Sequence, residues 1–135
     1  MPEPEILMEL LIFTSTPYLA KTIHSLKTLM AIYPVENYLP KLLTLDSYYE
    51  KASHLPDFVK IDVEGYEWNV LQGFKKIIAK YHPKLMVEIQ NDAENILTFF
   101  KNYDYTIYND KLEEIIDYND YLNKKTPNIF FQYYN

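Results

Sequence analysis

The residues whose types and spacing could do chemistry gather in one stretch, Asp57 to Ile89, written DFVKIDVEGYEWNVLQGFKKIIAKYHPKLMVEI. Asp62 and Glu64 stand two apart, so on an extended backbone both carboxylates point to the same side. Gly65, the first of only two glycines, permits a sharp turn after them, because positive φ costs glycine little. Glu67 follows in the first turn of the next segment, where a helix dipole favours negative charge; taken alone it reads as a cap. Carboxylates grouped this way accept hydrogen bonds from a ligand, or act as a general base where burial raises a pKa. Glu88 lies near the end of the next apolar run and reads equally as an exposed strand end or as part of a ligand crevice. Oxygen ligands also suit Mg²⁺ or Ca²⁺, but the pattern is unlike a calcium loop and no histidine is near in sequence, so no metal site is expected. His24, His54 and His82 are scattered. His82, just before Pro83, reads as a helix C-terminal partner of the dipole, and His24 as a helix surface residue.

The elements that must position these groups form one strand, helix, strand unit. Phe58 to Ile61 is a short apolar run rich in β-formers, whereas Trp68, Leu71, Phe74, Ile78 and Tyr81 recur at three- and four-residue steps, predicting one helix with a buried face. Pro83 stops it, and Leu85 to Ile89 resumes a strand. Such a unit is a parallel βαβ crossover. Ligands of open α/β sheets bind beyond the carboxyl ends of the strands, which is where Asp62, Glu64 and Gly65 fall.

Upstream, Ile6 to Phe13 is apolar apart from Glu9 and reads as a buried helix turn or strand; it is too short to span a bilayer, and its acidic lead-in is unlike a signal peptide. Thr16-Pro17 is a helix-start signal, and Leu19, Ile23, Leu26, Met30 and Tyr33 keep to one helical face, predicting a helix over Pro17 to Ile32. Lys41 to Leu45 reads as a short strand, with a helical turn at Ser47 to Lys51. Downstream, Asn91 or Asp92 caps a helix over Ala93 to Lys101, Tyr103 to Tyr108 is a strand, Leu112 to Ile116 a helical turn within an acidic loop, and Asn128 to Tyr133 a closing antiparallel strand.

Composition narrows the function. A chain of 135 residues is of single-domain size, and its net charge of −6, with lysine but no arginine, argues against nucleic acid as a partner. Without arginine an anionic ligand must be held by lysine or backbone N–H groups. Absence of cysteine excludes disulfides, thiolate metal sites and a cysteine nucleophile, and fits a reducing, cytoplasmic setting.

With these residues in view, the chain resembles the FkbM-type methyltransferases, class I enzymes dependent on S-adenosylmethionine. The likeness rests on Thr44-Leu45-Asp46, on Val59-Lys60-Ile61-Asp62-Val63-Glu64-Gly65, on Glu67 with Val70-Leu71 and Gly73 after it, and on Pro83 ahead of Met86-Val87-Glu88-Ile89. It extends to the strand at Tyr103 to Tyr108 and to Asn128-Ile129-Phe130. It implies a partial, Rossmann-like α/β sheet of parallel strands, with helices on its faces and a closing antiparallel strand, the central unit supplying the fourth and fifth strands. It also implies methyl transfer from S-adenosylmethionine to a hydroxyl on a sugar, polyketide or lipid-like small molecule. The resemblance makes Asp62 and Glu64 the catalytic carboxylates, puts Asp62, Val63 and Gly65 against the cofactor, and puts Glu67 and Glu88 against the acceptor.

Such enzymes carry upstream a glycine-rich turn for the cofactor, and no glycine precedes Gly65 here. The expectation is therefore a helical segment over residues 1–41 and the C-terminal half of a methyltransferase-like domain over 42–135, truncated with respect to the cofactor site. The alternatives are a non-catalytic remnant or interaction module and, less favoured, a metal-dependent hydrolase. An uncovered fourth strand would template pairing, so the N-terminal segment, a second copy or a partner chain is expected to cover that edge.

Overall fold

In the computed structural model, residues 9–13, 21–23, 44–52 and 54–135 are described. They form a mixed α/β structure around a six-stranded sheet of order β2-β1-β3-β4-β6-β5. The strands are β1 (Glu9–Phe13), β2 (Lys21–Ile23), β3 (Phe58–Asp62), β4 (Lys84–Glu88), β5 (Tyr105–Asn109) and β6 (Asn128–Tyr133). The helices are α1 (Leu45–Tyr49), α2 (Glu67–Gln72), α3 (Lys75–Tyr81), α4 (Ala93–Lys101) and α5 (Tyr118–Lys124). β3 and β4 are parallel, as the crossover pattern requires, and β6 closes antiparallel on β4 and β5.

Period-two burial makes the sheet two-sided. Val59 and Ile61 pair in register with Leu85 and Val87, these with Phe131 and Ile129, and Phe131 with Ile107, so all share one face; all are buried. Leu71, Phe74 and Ile78 from α2, α3 and the junction between them, and Ile96, Leu97 and Phe100 from α4, complete the same core cluster. Phe100 stacks on Phe131 with ring centroids 3.9 Å apart. Each such side chain contributes about 1.5–3 kcal/mol by leaving water. Lys60, Asp62, Met86, Glu88, Asn128 and Phe130 lie on the opposite face and are half-buried.

Several expectations need correction. The single helix over Trp68 to Tyr81 is two, α2 and α3, broken at Gly73 and Phe74. The cause is Asp46, buried on α1. Its N–H donates to the Gly73 carbonyl (2.8 Å), while its carboxylate accepts from the N–H groups of Lys76 and Ile77, each at 3.0 Å. One residue thus ends α2 and caps α3. Gly73 suits that place because a Cβ would lie 3.1 Å from the Cβ of Thr44.

The strand read over Lys41 to Leu45 does not reach Leu45, which opens α1 behind Thr44, whose hydroxyl accepts from Ser47 N–H at 3.1 Å; Lys41 to Leu43 lie outside the described residues. The helical turn at Leu112 to Ile116 is absent. There the chain bridges Glu114 to Tyr108 and donates Ile115 N–H to the Ile107 carbonyl (2.8 Å). The helix comes later, as α5, capped by Asp117. Buried Asn109 holds this loop, accepting from the N–H groups of Lys111 and Glu113 at 3.0 and 2.9 Å.

Within the segment expected to be helical over 1–41, the described residues are strands. Lys21–Ile23 pairs antiparallel with β1 instead of lying in the helix read over Pro17 to Ile32, because pairing of backbone groups outweighs the apolar periodicity there; the rest of that reading falls outside the described residues. β1 in turn pairs antiparallel with β3, Glu9 opposite Asp62 and Phe13 opposite Phe58. The N-terminal segment therefore covers the β3 edge, as sheet edges demand.

Candidate functional site

The parallel register places Ile61 beside Val87, so Asp62 and Glu88, one residue further on, end neighbouring strands on the same face. Lys60, two residues before Asp62 and also on that face, donates to Asp62 Oδ2 at 3.2 Å. Partial burial pushes the Glu88 carboxyl above its ordinary value; the negative charge of Asp62 and a hydrogen bond to it add to the effect, Glu67 adds less, and Lys60 opposes it. Each of these causes except Lys60 favours the neutral form of Glu88. Asp62 and Glu88 are therefore brought together, with Lys60 balancing one of the charges.

The remaining residues of the turn separate. Glu64 has φ 47°, so the extended backbone that would aim it alongside Asp62 ends at Val63. Its side chain is exposed, and that of Val63 is buried in the core. Gly65 sits at φ 95°, and a Cβ there would meet Asn91 Nδ2 at 2.7 Å. Asn91, just past β4, thus lies against the open side of the glycine.

Glu67 begins α2 and is fully buried. Its Oε1 accepts from Gly65 N–H at 2.8 Å, which closes the turn. Its Oε2 is buried with no hydrogen-bond partner, a costly state for a carboxylate oxygen. Its charge nonetheless reaches Glu88. His82 caps α3 in a left-handed conformation and stacks on Tyr133 at 3.9 Å, at the far edge of the sheet from these acids.

Among the described residues no group of three or more His, Cys, Asp or Glu is placed to hold a metal ion, and no helix is long and apolar enough to cross a membrane. Sequence reasoning passes over Lys60, although its two-residue spacing from Asp62 puts it on the same face. It passes over Asn91 as a site residue because only the tertiary fold brings it to Gly65. Asp46 has a signal, in the Thr44-Leu45-Asp46 motif, but no readable purpose.

The family model described as Methyltransferase FkbM domain matches residues 13–107, well over half of the chain. The chain belongs to the FkbM methyltransferase family. The match runs from the end of β1 into β5 and takes in every residue of the carboxyl cluster; it begins ahead of residue 42, where the resemblance of motifs begins. No curated protein and no solved structure matches the chain.

A methyltransferase of this kind implies S-adenosylmethionine, which carries a positive sulfur. Acidic side chains suit that charge: Asp62 and Glu88 end adjacent strands, with the amine of Lys60 engaging Asp62. For the adenosine end the described residues offer no glycine cradle, because the open side of Gly65 is taken by Asn91.

Proposed function

We propose that this protein transfers a methyl group from S-adenosylmethionine to the hydroxyl of a small molecule of sugar, polyketide or lipid-like character. The observation that carries the reading is the Asp62–Glu88 pair at the carboxyl ends of adjacent parallel strands, in a chain of this family. When bound, S-adenosylmethionine supplies an electrophilic methyl group on a cationic sulfur. Asp62, Glu64 and Gly65 would lie nearest that charged end, with Val63 anchoring the turn from the core. Glu67 and Glu88 would face the acceptor.

The chain's own part is to position the hydroxyl and take its proton. Glu88, whose carboxyl binds a proton more readily than an ordinary glutamate, is the better-matched base near neutral pH, since a base works best when its pKa lies close to the operating pH. Asp62, held by Lys60 at 3.2 Å, stands beside it on the neighbouring strand. Methyl transfer asks little more of a protein than alignment of donor and acceptor.

A second reading is favoured by one specific feature. β1 runs antiparallel to β3, so its C-terminal end lies at the end of the sheet away from Asp62. On that reading the chain is a non-catalytic module that keeps the acceptor side only. Calorimetric titration with S-adenosylmethionine separates the two. Saturable binding that is lost in Asp62→Ala supports the enzyme, and no binding at millimolar ligand supports the module.

A further inference from the structure

The sheet face that carries Asp62 and Glu88 continues inward from them. One side-chain row away from the strand ends, Met86 on β4, Phe130 on β6 and Tyr108 on β5 stand side by side in register. Neighbouring strands lie about 4.8 Å apart, so the three make an apolar strip about 10 Å long. Each is half-buried, and among the described residues none of them belongs to the core cluster or packs against it. Nor do the rings of Phe130 and Tyr108 meet another ring there, whereas Phe131, next along β6, stacks on Phe100 in the core. Polar rows bound the strip on both sides. Asp62, Glu88 and Asn128 lie toward the strand ends, and Lys84, Gln132 and Thr106 lie two residues the other way. At the sheet edge the Tyr108 hydroxyl is 3.3 Å from that of Tyr134. A strip one row wide between polar rows is too narrow for a protein interface, which buries about 800 Å² on each partner. It suits a flat small molecule lying along it.

Resting on the acceptor-site reading above, we propose that Met86, Phe130 and Tyr108 form the platform for the acceptor's body, and that the acceptor is a phenol with a flat fused-ring body, of the aromatic-polyketide class. The strip is continuous with the carboxyl pair, since Glu88 follows Met86 by two residues on β4, a rise of about 7 Å. A two-ring molecule lying over Met86 and Phe130 therefore brings a hydroxyl on its rim to the Glu88 carboxyl. Aromatic bodies gain from offset or edge-on contact with Phe130 and Tyr108 beyond the area they bury, and the Met86 thioether adds a sulfur–aromatic contact. The chemistry of the proton agrees. A phenol ionises with a pKa of about 10, as tyrosine does, whereas an aliphatic hydroxyl resembles water at about 16, so a carboxylate base meets a far smaller mismatch in a phenol. The phenolic oxygen bonds to the donor methyl as the carbon–sulfur bond breaks with its electron pair left on sulfur, and the phenolic proton passes to Glu88.

The test titrates 2-naphthol, decahydro-2-naphthol and glucose into the full chain, following the Met86 methyl and the ring resonances of Phe130 and Tyr108. The first two share a carbon skeleton and a hydroxyl, and only the first is flat and aromatic. 2-Naphthol is expected to bind roughly three- to tenfold tighter than its saturated counterpart, the scale of one aromatic pair, and tighter than glucose, and to move the Met86 methyl upfield as a ring lying over it must. Phe130→Leu keeps an apolar side chain but removes the ring, and should shrink the preference. Tyr108→Leu does the same at the strip's other end and serves if Phe130→Leu fails to fold. No saturable binding of 2-naphthol, equal affinities for the two bicyclic alcohols, shifts centred away from these three residues, or a preference unchanged in the folded variants would overturn the proposal. Methyl transfer from labelled S-adenosylmethionine is read separately. Naphthol binding on the strip without transfer sinks the catalytic reading alone, and transfer to a sugar with no naphthol binding sinks the platform alone.

Discussion

Replacing Asp46 with alanine is the sharpest test of how the fold presents its site. The Asp46 residue is 8% exposed and its carboxylate takes the N–H groups of Lys76 and Ile77, two of the free donors in the first turn of α3. Alanine leaves both without an acceptor in a place water reaches poorly. Each buried unpaired donor costs about 1–3 kcal/mol, and loss of a helix cap alone costs about 0.5–2 kcal/mol. Since the main-chain bond from Asp46 N–H to Gly73 survives, and some water can enter at the rim, the net loss should be about 2–3 kcal/mol. That is a substantial part of the roughly 5–15 kcal/mol that holds a domain of this size, and corresponds to a melting temperature lower by about 10 °C. The milder substitution Asp46→Asn keeps one acceptor oxygen and should lose about half as much. Urea unfolding is the assay, with the midpoint falling and the slope unchanged. An Asp46→Ala stability within about 0.5 kcal/mol of wild type would refute the assignment of this residue as the cap that splits α2 from α3.

Other consequences are more local. Gly65→Ala forces a left-handed backbone on alanine and pushes against the Asn91 amide; it should cost about 1–2 kcal/mol, read by chemical denaturation, together with displaced Asn91 side-chain resonances. Tyr105→Phe leaves the Pro83 carbonyl without the hydroxyl that donates to it at 2.8 Å, and should cost about 1 kcal/mol in the same assay. The Glu88 carboxyl is raised by burial and by Asp62, so the folded state favours its protonated form. The stability this provides is fully present below the ordinary glutamate range and is lost as pH rises through the raised value. Glu88→Gln should accordingly melt above wild type near neutral pH, with the gap closing as pH falls below the ordinary range; a gap that widens toward acid would contradict the direction of the shift.

What the sequence discloses is what local pattern controls. Ala93–Lys101 reads as a helix because Ile96, Leu97 and Phe100 keep to one face, and Asn128–Tyr133 reads as a strand because its apolar residues form a β-rich run between turn signals; both occur with the expected bounds. The location of Asp62 at a parallel strand end is legible for the same reason, and so is its proximity to Glu88 once β3 and β4 are parallel. The break between α2 and α3 is not, because its cause, Asp46, lies 30 residues from Lys76 in sequence. Glu64 cannot be aimed correctly either, since the two-residue rule holds only while the chain stays extended and φ at Glu64 is 47°. Lys21–Ile23 reads as helix because helical periodicity says nothing of a strand waiting alongside. In each case the missing information is a long-range contact or a single dihedral angle.

The reading of this chain as a methyltransferase is tested most directly by incubating the folded protein with S-adenosylmethionine carrying an isotopically labelled methyl group and a panel of hydroxyl-bearing sugars, amino sugars and polyketide-like alcohols, with products read by mass spectrometry. The account predicts a labelled methyl ether on at least one acceptor, and its loss in Asp62→Ala and Glu88→Gln. No labelled product from any acceptor, with a chain that is folded by circular dichroism, would contradict it.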